Sequence, residues 1–298
     1  MLQNPAGEKT FEIHASLLSY NLLLRERVEN ILRPFNEAGI PVILLKGIAM
    51  LNDIYRDTND RVLGDVDMLV KKKDFEKVKH ILTSAGFSFI HGNMVNAEVY
   101  GAETPVEIYI DLHNHLMNPK SPAQKKVYDP DESGIWDNAV PVEFGGQKAY
   151  TLCIEDRIIY LCFHMLKERF SKDKWFKDLI LLIREKNNEI NTSKLIDTAK
   201  KYGTYKLCAF IIDYLNRSYE TEIGLLKEHH PEKDFLFYGI ECAIFRLMLC
   251  RFTRIIFPVR ELLWILVMDS ASKKLGFLKD LFLYLPGKLN PAKLKRST

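Results

Sequence analysis

The sequence predicts an α+β chain: a mixed β-sheet domain with helices over residues 1–152, followed by a mainly α-helical domain over 153–298. Three patterns carry this reading. Short apolar runs punctuated by glycine and proline fill the first half. The stretches 65–70 and 106–113 send alternate side chains to opposite faces, the period of a strand. Beyond Glu155 the apolar residues recur at helical spacing, with no repeat, low-complexity tract or flexible linker to separate the halves.

Residues 11–38 read as an amphipathic helix, with apolar positions spaced between Glu, Arg and Asn. Ile40-Pro41-Val42-Ile43-Leu44-Leu45 then has the length and continuity of a buried strand, placed at 42–45. It runs into Lys46-Gly47 and a helix-compatible stretch at 48–55, so this segment reads as strand, glycine turn, helix start. The strand at 65–70 is followed by a helix at 73–85 that stops at Gly86, a favoured left-handed terminator. Residues 87–90, 95–100 and 106–113 make plausible antiparallel strands with His91-Gly92-Asn93 as a turn. The stretch 117–138, carrying Pro119, Pro122, Pro130 and Gly134, reads as a loop, and 140–150 around Gly145-Gly146 as a last hairpin.

Composition bounds the function. With 298 residues, 47% of them hydrophobic, the chain can bury a sizeable core. Its 42 basic and 39 acidic residues leave a net charge of +3, without the strong basic excess of a polyanion binder, so there is no strong nucleic-acid signal. Lys71-Lys72-Lys73, with no interleaved aromatics, reads as a solvated helix entry. The five cysteines, Cys153, Cys162, Cys208, Cys242 and Cys250, contain no C-x-x-C pair, which argues against a disulfide framework and a zinc site and for a reducing cytoplasm. No secretion signal opens the chain. The apolar stretch 235–268 is interrupted by Glu241, Arg246, Arg251, Arg254, Pro258, Arg260 and Glu261 before any run reaches the ~18–20 residues of a membrane span. It reads as buried helices, with a partner or membrane surface as the alternative, helped by Lys288, Lys293, Lys295 and Arg296.

The chemistry concentrates in Asp65-Val66-Asp67. On a strand the two carboxylates share one face, and a pair of hard oxygen ligands beside substrate phosphates is how Mg²⁺ is usually held. Asp129-Pro130-Asp131 has the same spacing around a proline in a polar segment and reads as an exposed turn instead. Two neighbours support the first pair. Lys46-Gly47 at a helix start offers unpaired N–H groups, close backbone approach and a cation to a triphosphate. The strand at 106–113 places Glu107, Tyr109, Asp111 and His113 on one face, bringing a third carboxylate in Asp111. Glu107 lies about 13 Å earlier along that strand, at about 3.3 Å per residue, too far to share a metal with Asp111. His113, one same-face step on, orients a carboxylate, contacts substrate or is a satisfied structural histidine. Arg61, on the loop feeding the first acidic strand, suits a bidentate grip on phosphate. His164, amid Leu161, Cys162, Phe163 and Met165, reads as a buried structural residue, and Trp175 and Asp178 stay outside the catalytic set.

Through Leu45-Lys46-Gly47, Tyr55, Arg61, Asp65-Val66-Asp67-Met68-Leu69-Val70, the helix ending at Gly86-Phe87, and Asp111-Leu112-His113, the chain resembles the uncharacterised nucleotidyltransferases of the DNA polymerase beta superfamily. The match continues more loosely through a post-sheet helix at 152–164, ending in His164, and through Asp178. The superfamily's turn is usually Gly-Ser or Gly-Gly, whereas this chain has Lys46-Gly47, and residues 48–64 make a long spacer before Asp65 that fits the subgroup. The resemblance implies a nucleotidyltransferase-like sheet domain. It also implies Mg²⁺-dependent transfer (Mn²⁺ the alternative) of a nucleoside monophosphate from a nucleoside triphosphate to a hydroxyl acceptor, with release of pyrophosphate. Asp65, Asp67 and Asp111 would be the metal ligands and catalytic residues, and Lys46, Gly47 and Arg61 would hold the phosphates. Sugar, small molecule, protein and RNA end stay open as the acceptor. The rival reading is a non-catalytic module that binds nucleotide or a partner on the same fold.

Overall fold

The computed structural model of the protein describes residues 5–55, 60–92, 97–103, 107–116, 130, 132–168, 170–219, 221, 223–224, 268, 272 and 274–278. Strands β1 (Val42–Leu45), β2 (Val66–Val70), β3 (Ser88–Gly92), β4 (Ala97–Ala102), β5 (Ile108–His113), β6 (Val140–Phe144) and β7 (Gln147–Thr151) form one mixed sheet in the order β3-β4-β5-β2-β1-β7-β6. The pairs β2–β5 and β1–β7 are parallel; the other neighbours are antiparallel. The fold class is α+β, a mixed sheet with helices.

The centre of the sheet explains the apolar runs of the sequence. Every residue of β1 and β2 is buried, so these strands lack a solvated face and read as nearly continuous aliphatics. Asp67 is the exception, a carboxylate inside a strand otherwise composed of Val66, Met68, Leu69 and Val70. Helix α1 (Pro5–Glu37) buries Leu24, Val28, Ile31, Leu32 and Phe35, a stripe at helical spacing that packs towards β7. It stops in a left-handed turn: Gly39 has φ 65°, its N–H donates to the Asn36 carbonyl, and the Ile40 N–H donates to the Phe35 carbonyl at 2.8 Å. The β6–β7 hairpin turns through Gly145 and Gly146, both at positive φ, the conformation a two-residue connection between twisted strands requires.

Helix α2 (Lys46–Asp53) follows β1 without a break, and α3 (Phe75–Ser84) is entered through a 3₁₀ turn at Lys72–Asp74. Two local expectations are corrected. His91 and Gly92 belong to β3, where an irregularity in the pairing between Phe89 and His91 carries the strand further than the expected turn. Within the stretch expected to be a loop, Glu132–Asp137 is a short helix, α4. It is anchored by the buried Ile135 and by the Glu132 carboxylate, which accepts the Leu116 N–H at 2.9 Å.

Packing divides the chain into two units. Among the described residues, the first comprises those up to residue 116, then 132–157 and 184–186, and contains the whole sheet. The second takes in Pro130, 158–183 and the described residues from 187 on. It is built from most of α5 (Ile154–Lys167) with α6 (Lys174–Glu185), α7 (Thr192–Tyr202) and α8 (Tyr205–Ser218), over a core that includes Leu179, Leu182, Leu195, Leu207, Phe210 and Leu215. The Asn191 side chain caps α7 by accepting the Lys194 N–H at 3.0 Å. Among the described residues no helix is long and apolar enough to cross a membrane. The apolar stretch 235–267, the basic C-terminal residues, Cys242, Cys250, Val95, Asp129 and Asp131 lie outside the described residues.

Candidate active site

The site begins with the register of two parallel strands. Asp67 on β2 is the pairing partner of Asp111 on β5, and Leu69 that of His113, so both carboxylates stand side by side with His113 one same-face step beyond Asp111. Asp67, Asp111 and His113 each offer a ligand atom, and these atoms lie within 4.8 Å of one another. His113 Nε2 is 3.2 Å from Asp111 Oδ2 and 3.4 Å from Asp67 Oδ1. Asp67 and His113 are buried, at 3% and 2% exposure, whereas the Asp111 side chain is 29% exposed and keeps the group open to one side.

A fourth charge comes from β1. Leu45 pairs with Asp67, and Lys46, immediately after it, turns its ammonium onto Asp67 Oδ1. Lys46 does so at φ 49°, a left-handed conformation that a non-glycine residue adopts only where the surroundings impose it. Burial alone would raise the Asp67 pKa, but the Lys46 charge and the His113 contact outweigh it and hold the carboxyl below its ordinary range. Burial likewise opposes a charge on His113, yet Asp111 and Asp67 together push its imidazole above the usual histidine value. Among the described residues, neither ring nitrogen of His113 has a partner in well-directed hydrogen-bond geometry, although both atoms are buried. Two carboxylates and an imidazole whose ligand atoms lie this close, two of the three side chains buried, fit a divalent cation.

Next to this group lies a surface suited to phosphate. Helix α2 starts with no side-chain cap, so its first-turn N–H groups point forward from Lys46-Gly47. Arg61 is buried, and its guanidinium lies so close to Gly47 that a Cβ there would come 3.3 Å from Arg61 Nη2 and 2.7 Å from Leu63 Cδ2. The absence of a side chain at Gly47 is what lets the arginine approach the backbone. The loop carrying Arg61 is held by Asn21 of α1, fully buried, whose Nδ2 donates to the Arg61 carbonyl at 3.1 Å. The far end of α2 is tied to α5: Arg157 donates from its two terminal nitrogens to the Asp53 carboxylate at 2.5 and 2.9 Å, and Nη2 also lies 3.3 Å from Met50 Sδ.

Of the residues singled out in the sequence, Lys46, Asp67 and Asp111 converge with His113, and Gly47 and Arg61 lie side by side. Asp65 is placed differently. It precedes the first paired residue of β2, is exposed, and stands outside the group of three ligands. Together with Glu107, but after burial, its charge raises the pKa of the Tyr20 hydroxyl on α1. His164 is buried with its ring edge-on to Trp175, centroids 4.8 Å apart, and Asp178 is fully buried. Pro130, the described residue of Asp129-Pro130-Asp131, is buried. Two contributors carried weak signals in the sequence. His113 was visible by its parity with Asp111, whereas Asn21 looks like any polar residue of an amphipathic helix.

A mixed sheet presenting paired carboxylates beside an uncapped helix start fits the class of proteins that handle phosphate through a cation. The chain belongs to the uncharacterised nucleotidyltransferase family, whose model matches residues 8–220, and is thus a nucleotidyltransferase. No curated protein matches it. Among solved structures it is similar to the antibiotic-resistance factor ANT(2'')-Ia, at 13% identity and a TM-score of 0.43, covering 67% of this chain and 97% of that one. The lincosamide antibiotic adenylyltransferase LnuA is 17% identical with a TM-score of 0.38, over 53% of this chain and 94% of that one. An antigenic nucleotidyltransferase-like protein from Paracoccidioides brasiliensis is 15% identical with a TM-score of 0.40, over 70% and 88%. Scores of this size carry no argument about chemistry, which rests on the family and the site.

Proposed function

We propose that the protein transfers a nucleoside monophosphate from a nucleoside triphosphate to a hydroxyl acceptor and releases pyrophosphate, using Mg²⁺, with Mn²⁺ as the alternative. The observation that carries this reading is the pairing of Asp67 with Asp111 on adjacent parallel strands, in a partly buried group that fits a divalent cation. Asp67 and Asp111 would hold the cation, with Asp65 entering from the exposed end of β2. When bound, the cation stabilises charge on the attacking and leaving oxygens. Asp111, the more exposed of the central carboxylates, takes the proton of the acceptor hydroxyl. The freed oxygen bonds to the α-phosphorus while the bond to the pyrophosphate oxygen breaks. Gly47 and the N–H groups of α2 receive the phosphates, and Arg61 reaches them from the side. Lys46, whose ammonium lies on Asp67 Oδ1, would join them once Asp67 holds a cation, since two positive charges would compete for one carboxylate.

In this proposal residues 1–152 form the nucleotidyltransferase-like domain and 153–298 the helical one. The acceptor stays open among sugar, small molecule, protein and RNA end. Cys153, Cys162 and Cys208 are buried thiols outside any disulfide, which suits a reducing compartment and supports a cytoplasmic location. The test is to incubate the full chain with each labelled triphosphate, Mg²⁺ or Mn²⁺, and small-molecule, protein and RNA acceptor pools, scoring pyrophosphate and labelled product. Asp65→Asn and Asp67→Asn should each remove cation-dependent release while the protein stays folded. Triphosphate binding without pyrophosphate above the Asp67→Asn background would favour the binding module over the enzyme.

A further inference from the structure

We propose that His113 is itself a ligand of the resident cation, so that the site is a two-carboxylate, one-imidazole centre that selects a transition-series divalent ion over Mg²⁺. The inference rests on the reading above for the presence of a cation and moves its ion from Mg²⁺ to the Mn²⁺ alternative, assigning a residue and a selectivity that the pairing of carboxylates does not require. His113 is 2% exposed and its Nε2 faces both carboxylates, at 3.2 Å from Asp111 Oδ2 and 3.4 Å from Asp67 Oδ1. Those separations match ligands around one small ion. With metal–ligand bonds of about 2.1 Å, neighbouring ligands lie about 3.0 Å apart in an octahedron and about 3.4 Å apart in a tetrahedron.

A histidine serving only to hydrogen-bond the carboxylates would aim an N–H along one of these vectors. Here, among the described residues, Nε2 is near both carboxylates in distance but not directed at either as a hydrogen bond, and Nδ1 has no such partner, although both atoms are buried. The strand geometry fixes the approach: His113 and Asp111 share a face of β5, and the β2–β5 register sets Asp67 against them. Nitrogen at this position disfavours Mg²⁺, which prefers oxygen ligands and sheds water reluctantly, and favours ions that accept imidazole.

Mn²⁺ provides the probe. The full-length protein is titrated with Mn²⁺, with and without ATP, and examined by pulsed electron paramagnetic resonance; affinities for Mn²⁺ and Mg²⁺ are compared by competition. The expected result is a directly coordinated ¹⁴N on Mn²⁺ in the wild type, replaced by a ¹⁵N signal when histidine alone is ¹⁵N-labelled. His113→Gln should lose that coupling and weaken Mn²⁺ by at least about tenfold, with a much smaller change for Mg²⁺. The labelled wild-type spectrum keeps the test valid even where the variant fails to fold. Absence of nitrogen coupling under both conditions, or equal losses of Mn²⁺ and Mg²⁺ in His113→Gln, overturns the proposal. Pyrophosphate release by that same sample would leave nucleotidyl transfer standing. Nitrogen coupling without any pyrophosphate release would remove the transfer reading and leave the ligand assignment intact.

Discussion

Replacing Lys46 with methionine keeps the length and apolar stem of the side chain and removes the ammonium set against Asp67. The two side chains are 12% and 3% exposed, so the contact behaves as a buried ion pair. Losing one partner of such a pair costs about 3–5 kcal/mol, because the other charge stays in the interior without compensation. His113 Nε2 remains 3.4 Å from Asp67 Oδ1 and softens the loss, which puts the estimate near 3 kcal/mol. A chain of this size loses roughly 2 °C per kcal/mol, so the melting temperature in a chelator should fall by about 6 °C. The decisive measurement is the response to cation. A divalent ion restores the missing positive charge and no longer competes with Lys46, so it should raise the melting temperature of Lys46→Met more than that of the wild type. At a hundred times its Kd a ligand contributes about 2.7 kcal/mol, enough to return most of the loss. Differential scanning calorimetry with chelator, Mg²⁺ and Mn²⁺ reads both quantities. An unchanged melting temperature in chelator, or equal cation-induced rises in the two proteins, refutes the argument that Lys46 and the cation share Asp67.

Gly47→Ala should weaken triphosphate binding and cost about 1–3 kcal/mol of stability, because the new Cβ would come 2.7 Å from Leu63 Cδ2 and 3.3 Å from Arg61 Nη2; calorimetric titration and thermal melting check both. Asp111→Asn should reduce turnover far more than triphosphate affinity, since the residue is proposed to take the acceptor's proton as well as to hold the cation; normal turnover would return the site to the binding-module reading. Asp53→Ala should destabilise the fold by about 3 kcal/mol, because Arg157, 8% exposed, loses its bidentate partner. In urea denaturation the double variant Asp53→Ala with Arg157→Met should recover much of that loss, and a purely additive cycle would contradict the pairing.

Parity was legible in the sequence and adjacency was not. Asp111 and His113 had to share a face once residues 106–113 were read as a strand, since side chains alternate there with period two. That β5 lies beside β2 rather than at an edge depends on the crossover through α3, β3 and β4, and no local pattern encodes it. The same limit applies to Asp65. Its parity with Asp67 could be seen, but β2 pairs only from Val66, because strand ends are set by neighbouring backbone groups. The sequence reads Lys46 as a phosphate ligand and does not reveal its contact with Asp67, because the left-handed backbone that turns the side chain there is imposed by the tertiary fold on a residue with no preference for it. Helix α4 was hidden by the Pro130 and Gly134 that flank and interrupt it, and it forms through burial of Ile135 and a contact with Leu116, both long-range effects.

The parallel register of β2 and β5 has a further consequence for how this protein can diversify. Because Asp67 and Asp111 are neighbours across a backbone ladder, their separation is a fixed property of the sheet, close to the ~4.8 Å interval between strands. Chain inserted between Val70 and Ile108, but outside α3, β3 and β4, lengthens a detour without moving either carboxylate. Surface excursions in that region can therefore be lengthened, trimmed or exchanged to meet a new acceptor while the cation-holding distance stays constant. In this architecture substrate range and metal geometry are separate variables, and lineages carrying it are free to alter the first without retuning the second.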